Sequence, residues 1–292
     1  MIVVRKLFIF FSWIISRLPF WLLYLKSNFF CVVLYYLVGY RKKVVFENLQ
    51  QAFPYKNSKE IKAIAKKFYR NLTDIFFEVL KLKNISAKKL DQHFSIRNPE
   101  ILDQLKAKNK SILVTVGHIG NWEWLGPKLA LMKQFKVFGP AKPLSDPFFN
   151  KYMNTSRSRF GFTPIKYTHT LRTLVNHKSE CTASIMAADQ SPLKSDQNYW
   201  APFLNRETPF YLGIEKIAKS LDIAVLYFDV QRTKRGFYEA EIHLITENPK
   251  QCGEHEIINA YIENLQNSIL NHPDNWLWSH RRWKYEKESL TN

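Results

Sequence analysis

Two hydrophobic patterns follow one another along this chain. Residues 7–40 are almost continuously apolar and aromatic, interrupted by Arg17, Lys26 and a few small polar groups. From Ile61 the apolar positions thin to one face: Ile61, Ile64, Ala65, Phe68, Leu72, Ile75, Phe76 and Val79 follow the i, i+3, i+4, i+7 spacing of an amphipathic helix. Asn57 with Glu60 predicts a capping box at its start. The opposite face carries Lys59, Lys62, Lys66, Lys67 and Arg70, which suits solvent or a membrane surface. Asn98 and Pro99 open a further short helix.

Beyond residue 110, β-branched runs alternate with helical spacing. Ile112, Leu113, Val114 and Val116 read as a buried strand that ends at Gly117 and His118. Asn121 is a good N-cap for a helix that starts at Trp122, Glu123 and Trp124 and runs through Leu129 and Met132. Residues 136–139 read as a strand, 140–146 as a loop, and 148–160 as a helix stopped by Gly161. A second buried strand over 182–187 ends at Asp189 and Gln190. Then come a loop over 202–209, a helix over 210–221, strands over 223–230 and 238–245, and an amphipathic helix over 254–270. This alternation predicts an α/β architecture, a sheet flanked by helices, with polar groups gathered at strand ends.

The apolar start, residues 1–40, is read as a membrane anchor, and residues 41–292 as the catalytic domain; a core element of the globular domain is the competing reading of the first segment. It has no small-x-small cleavage site after its first apolar run, which argues against a removed signal peptide. Basic residues on both flanks, Arg5 and Lys6 before and Arg41, Lys42 and Lys43 after, favour a shallow hairpin or interface-lying helices over one plain crossing.

The net charge of +18 calls for an anionic partner: nucleic acid, an acidic carrier protein or a phospholipid surface. No helix-turn-helix, zinc-finger or RNP pattern supports the first. The three cysteines, Cys31, Cys181 and Cys252, are far apart and form no CxxC pair, so neither a disulfide framework nor a zinc site is expected. No histidine spacing suggests a metal.

His118 is the histidine with a carboxylate close behind it at a strand end. On one continuous helix, residues five apart point about 140° away from each other; a turn between them lets His118 and Glu123 converge. A neutral imidazole can take a proton from a hydroxyl, and Glu123 can then orient the ring and stabilise the imidazolium. Position alone weighs equally for an ordinary strand-end histidine and a first-turn glutamate that favours the helix dipole. No GxSxG elbow offers a nucleophile, so direct attack by a substrate hydroxyl is the simpler chemistry. Arg157 and Arg159 in RSRFG, and Arg281 and Arg282 in SHRRWK, are candidate phosphate binders. Asp189 and Gln190 can cap a helix or orient a substrate hydroxyl.

The segment GHIGNWEW resembles the HX4D/E motif of the lysophospholipid acyltransferase superfamily, in the form found in the lipid A late (lauroyl/myristoyl) acyltransferases. RKKVVFENLQQAFP at 41–54, RSRFG at 157–161, DQ at 189–190 and HPDNWLWSHRRWK at 272–284 extend the resemblance over essentially the whole chain. One departure is NYWAPFLNRETP, where the family commonly has a glycine-containing segment before Thr-Pro. The resemblance implies a glycerolipid-acyltransferase-like sheet and acyl transfer from a thioester to a hydroxyl of a lipid A precursor. It places the enzyme at the cytoplasmic side of the bacterial inner membrane. Acyl carrier protein would be the donor and partner, beside the phosphoglycolipid substrate and anionic inner-membrane lipids, with no nucleic acid, metal or other cofactor. The same chemistry on another lipid acceptor, or with acyl-CoA as donor, is the alternative. His118 would be the general base and Glu123 its acidic partner; Arg159, Asp189, Gln190, Asn121, Arg157 and Arg281 would bind substrate. Backbone amides from Gly120 to Trp122 would serve the oxyanion.

Overall fold

The computed structural model describes residues 2–196 and 199–287. Its strands are β1 (Phe94–Ile96), β2 (Ile112–Val116), β3 (Lys136–Ala141), β4 (Thr163–Lys166), β5 (Thr182–Ala187), β6 (Tyr199–Phe203), β7 (Arg206–Phe210), β8 (Ala224–Lys234) and β9 (Phe237–Thr246). Its α-helices are α1 (Ile2–Arg17), α2 (Phe20–Val32), α3 (Lys42–Ala52), α4 (Ser58–Lys81), α5 (Ala87–His93), α6 (Glu100–Ala107), α7 (Trp122–Met132), α8 (Pro147–Arg157), α9 (Thr170–Asn176), α10 (Gly213–Leu221) and α11 (Glu256–Asn271). Seven strands form one sheet in the order β1-β9-β8-β2-β5-β3-β4, parallel except for the β8–β9 pair. The α/β sheet flanked by helices is therefore what the hydrophobic alternation predicts.

Every residue of β2 is buried, as a central parallel strand with both faces covered requires. Ile112, Val114 and Val116 pack with Trp124, Leu125 and Leu129 of α7 on one side. Leu113 faces the other way, into a core with Tyr227, Tyr261 and Leu265. The register of β2 on β5 pairs Val116 with Ala187. Two residues beyond those partners, His118 and Asp189 leave the sheet side by side.

The capping box forms as expected: the Asn57 side chain accepts from the Lys59 and Glu60 amides, and Glu60 accepts from the Asn57 amide. The apolar start is two helices broken at Pro19, where Lys81 Nζ donates to the carbonyls of Ser16 and Leu18. A π-helical turn (Val33–Val38) prolongs α2 to Gly39. Over Phe20–Val38 the chain is long and apolar enough to cross a membrane. One side of these helices packs on α4, with Ile15 and Leu23 against Phe77 and Leu80. Polar ties fix the docking: Ser27 donates to Asp74 at 2.6 Å and Tyr24 to Glu78 at 2.8 Å. The other side leaves Phe10, Trp21, Phe29 and Leu37 exposed.

The segment 202–209, expected to be a loop, is most of a hairpin instead, β6 and β7 joined at Leu204 and Asn205. Both turn residues have positive φ, 50° and 64°, a conformation usually signalled by Asn-Gly. Here outside contacts hold it: the Leu204 amide donates to Gln266 and the Asn205 side chain to the Ala52 carbonyl. The short strands β1 and β4 and the short helix α9 are also additions to the expected pattern.

Candidate active site

Sheet geometry builds the site first. His118 Nδ1 lies 2.6 Å from Asp189 Oδ1, and the His118 backbone amide donates to Asp189 Oδ2 at 2.9 Å. A third donor, the Trp276 indole, reaches Asp189 Oδ2 at 2.8 Å. Burial works against charge on Asp189, yet the nearby imidazole and these hydrogen bonds prevail and hold its pKa down to about 2. Burial likewise opposes the imidazolium of His118, and here too it is outweighed. Asp189, by charge and hydrogen bond, and more weakly Glu123 raise the histidine above its ordinary value. An ionised Asp189 accepts from Nδ1–H, which leaves Nε2 as the basic nitrogen. Gln190 Nε2 sits 3.3 Å from it, and the Trp122 ring stands edge-on to the imidazole with centroids 5.1 Å apart.

The expected His118–Glu123 hydrogen bond is not formed. Glu123 instead takes a two-point ion pair from Arg157, Nε to Oε2 at 2.8 Å and Nη2 to Oε1 at 2.6 Å. The reason is local. Glu123 points from the first turn of α7 toward the end of α8, whereas β5 delivers Asp189 directly beside the histidine.

The turn between His118 and Glu123 is tightly specified. Gly120 has φ of +55°, and a Cβ there would meet the Val230 carbonyl oxygen at 2.6 Å. Its N–H donates to the Asn275 carbonyl at 3.2 Å, so this amide is already occupied and drops out of the expected oxyanion donors. Asn121 caps α7 by accepting from the Trp124 amide, as expected, and is itself gripped from behind. Its Nδ2 donates to Glu78 Oε2 at 2.8 Å, and Tyr238 donates to the same oxygen at 2.7 Å. Glu78 is fully buried; desolvation first, then the like charge of Asp74, push its pKa up. The capping residue at the site is thereby coupled to Tyr24 of the apolar segment through one carboxyl group.

His118, Trp122, Glu123 and Arg157 line a cavity of about 140 Å³ whose remaining walls are mostly apolar, among them Val116, Ile185, Ala187, Pro127 and Phe162. No serine, threonine or cysteine is among its lining residues. The described residues contain no cluster of metal-ligating side chains. Of the residues expected at the site, His118, Glu123 and Arg157 line this cavity, and Asp189, Gln190 and Asn121 support it. Arg159 and Arg281 do not join them. The Arg159 guanidinium donates to the Leu82 carbonyl beyond the end of α4 and lies 4.7 Å from the Phe160 ring. Arg281 lines a separate cavity.

Trp276 and Glu78 carry no sequence signal of this role; only the packing of residues 276 and 78 against the motif reveals them. His280 accepts the Ser191 amide at Nε2, and burial lowers its pKa to about 4. Arg282 is buried, donating to the Pro209 carbonyl beneath the hairpin.

Fold and site together are those of an α/β enzyme whose reactive groups gather at the carboxyl ends of parallel strands. The family model for bacterial lipid A biosynthesis acyltransferases matches residues 2–285, so the chain belongs to that family and is an acyltransferase acting on a lipid A-like acceptor. A lipid A biosynthesis acyltransferase of Haemophilus influenzae is 21% identical over 236 residues, 79% of this chain and 72% of that protein.

Proposed function

We propose that the enzyme moves a fatty acyl chain from an acyl carrier protein thioester to a hydroxyl of a lipid A precursor, by general-base catalysis at His118 and without an acyl-enzyme. The observation that carries this reading is the pairing of His118 Nδ1 with Asp189, which leaves Nε2 basic beside a cavity with no nucleophilic side chain. The acceptor hydroxyl displaces the Gln190 amide from Nε2 and gives its proton there as its oxygen attacks the thioester carbonyl. Collapse of the tetrahedral intermediate breaks the carbon–sulfur bond, and the imidazolium returns the proton to the departing thiolate. Asp189 keeps the ring in the productive tautomer and stabilises the imidazolium. The first-turn amides of Trp122 and Glu123, at the positive end of α7, face the developing oxyanion. Arg157 is held by Glu123 through Nε and Nη2, and its Nη1 edge meets substrate oxygen.

The exposed face of α1 and α2 seats the enzyme on the cytoplasmic leaflet of the inner membrane. Docking of the other face on α4, through Tyr24, Ser27 and Lys81, supports an interfacial anchor over a free-standing crossing. The test is transfer to a defined lipid A precursor from carrier-protein and CoA thioesters of several chain lengths. His118→Ala should lower kcat/KM about 10³- to 10⁴-fold with the melting temperature preserved. Wild-type activity in that variant, or a trapped acyl-enzyme in rapid-quench mass spectrometry, would contradict the mechanism.

A further inference from the structure

A second, open cavity of about 670 Å³ lies where the apolar segment ends, and it shares no lining residue with the cavity at His118. Gly39 and the first residues of α3 form one wall, Arg206 of β7 another, and residues 281, 283 and 284 the third. Among the described residues, Lys43 pairs with Glu47 at 3.8 Å, while Arg41, Lys42, Arg206, Arg281 and Lys284 have no carboxylate within 4.0 Å. Several of these cations are fixed in place. Arg41 Nη1 donates to the Ser279 carbonyl at 2.9 Å, and Lys42 Nζ lies 4.0 Å from the Tyr35 ring centroid. Arg206 bonds Gln51 and lies over Trp283, 5.6 Å from its centroid. The N-terminus of α3 opens into the same space without a side-chain cap, because Arg41 stands there with φ of 49°. Uncapped amides and converging cations add to one positive field.

We propose that this cavity holds the phosphoryl headgroup of an anionic bilayer phospholipid, fixing the height and tilt of the enzyme on the membrane. This rests on the membrane seating proposed above. Position selects the occupant: Leu37 and Val38, 78% and 65% exposed, precede the cavity directly, so acyl chains can lie along the apolar segment while the headgroup enters the basic recess. A recess of this size takes one headgroup, whereas a carrier protein needs a broad face.

The experiment uses the full chain in neutral detergent, with dioctanoylphosphatidylglycerol, dioctanoylphosphatidylcholine and inorganic phosphate as probes, read by native mass spectrometry and thermal shift. Wild type should bind the phosphatidylglycerol at least about tenfold tighter than the phosphatidylcholine. The triple variant Lys42→Gln, Arg206→Gln, Lys284→Gln should lose that preference. The charge-keeping triple Lys42→Arg, Arg206→Lys, Lys284→Arg should retain it, as should Lys59→Gln, Lys62→Gln, Lys67→Gln on the exposed face of α4. Retention of the preference by the first triple would overturn the assignment. So would inorganic phosphate binding as tightly as the lipid, or loss of carrier-protein binding in the first triple with lipid binding unchanged. His118→Ala should bind the lipid as wild type does; full transfer activity in that variant would remove the proposed reaction and leave the lipid site standing.

Discussion

Asp189 and Glu123 are both buried or nearly so, and both hold one basic partner at the same site, yet they reached it by different routes. Glu123 follows the histidine by five residues and turns away to Arg157, 34 residues further on. Asp189 is 71 residues from the histidine and meets it because β2 and β5 pair in parallel with Val116 opposite Ala187. Nearness in sequence chose one carboxylate; strand register delivered the other. Their surroundings differ in kind as well. Asp189 accepts three hydrogen bonds, two of them from His118 itself, which suits a group that must fix a tautomer. Glu123 spends both oxygens on one guanidinium, which suits a group that aims a cation.

Of changes to the two carboxylates and their supports, the largest effect is expected from Asp189→Asn, which keeps the shape but cannot accept from Nδ1–H in the same way. A loss of about 10²- to 10³-fold in kcat/KM with little change in KM is predicted. A steady-state titration of acceptor at saturating donor measures it. Glu123→Gln and Arg157→Lys each break the two-point pair and should cost about tenfold. Because both act through one contact, the double variant should cost little more than either single one. Additive losses in that cycle would show that the two side chains work separately.

The smallest effect is expected behind the turn, at Glu78. Glu78→Gln removes a carboxyl whose pKa burial has already raised, and the Tyr24 hydroxyl can reverse its role and accept from the new amide. Stability should change by less than about 1 kcal/mol; urea midpoints at constant slope measure this. Glu78→Ala, which orphans Tyr24, Tyr238 and the Asn121 amide together, should cost about 2–4 kcal/mol and slow catalysis by loosening the α7 cap.

Most of the sheet was legible because its strands are largely apolar runs bounded by polar turns. The central strand over 112–116 follows directly from burial on both faces, and its partner over 182–187, buried in its first half, from an apolar run that ends at a polar pair. The hairpin around Leu204 was not legible, because contacts from Gln266 and Ala52 impose its turn and no Gly marks it. At the site, His118 and the Asn121 cap could be read from local pattern. The histidine's carboxylate could not, since strand order and register are tertiary facts. Once β2 and β5 are placed side by side, however, GH and DQ two residues beyond the paired ends become neighbours by counting. Trp276 and Glu78 lay beyond that reach, because each contributes through packing of a segment with no periodic relation to the motif.

The most direct measurement is the pH dependence of kcat/KM in wild type, Asp189→Asn and Glu123→Gln. In the proposed mechanism the base acts when neutral, so activity should rise with pH through the pKa of His118, which stands above the ordinary histidine value in the wild type. Removing Asp189 takes away the largest influence that raises it, so the acidic limb should move to lower pH; Glu123→Gln should move it the same way but less. A limb that stays fixed in Asp189→Asn and shifts in Glu123→Gln would make Glu123 the partner of the histidine after all.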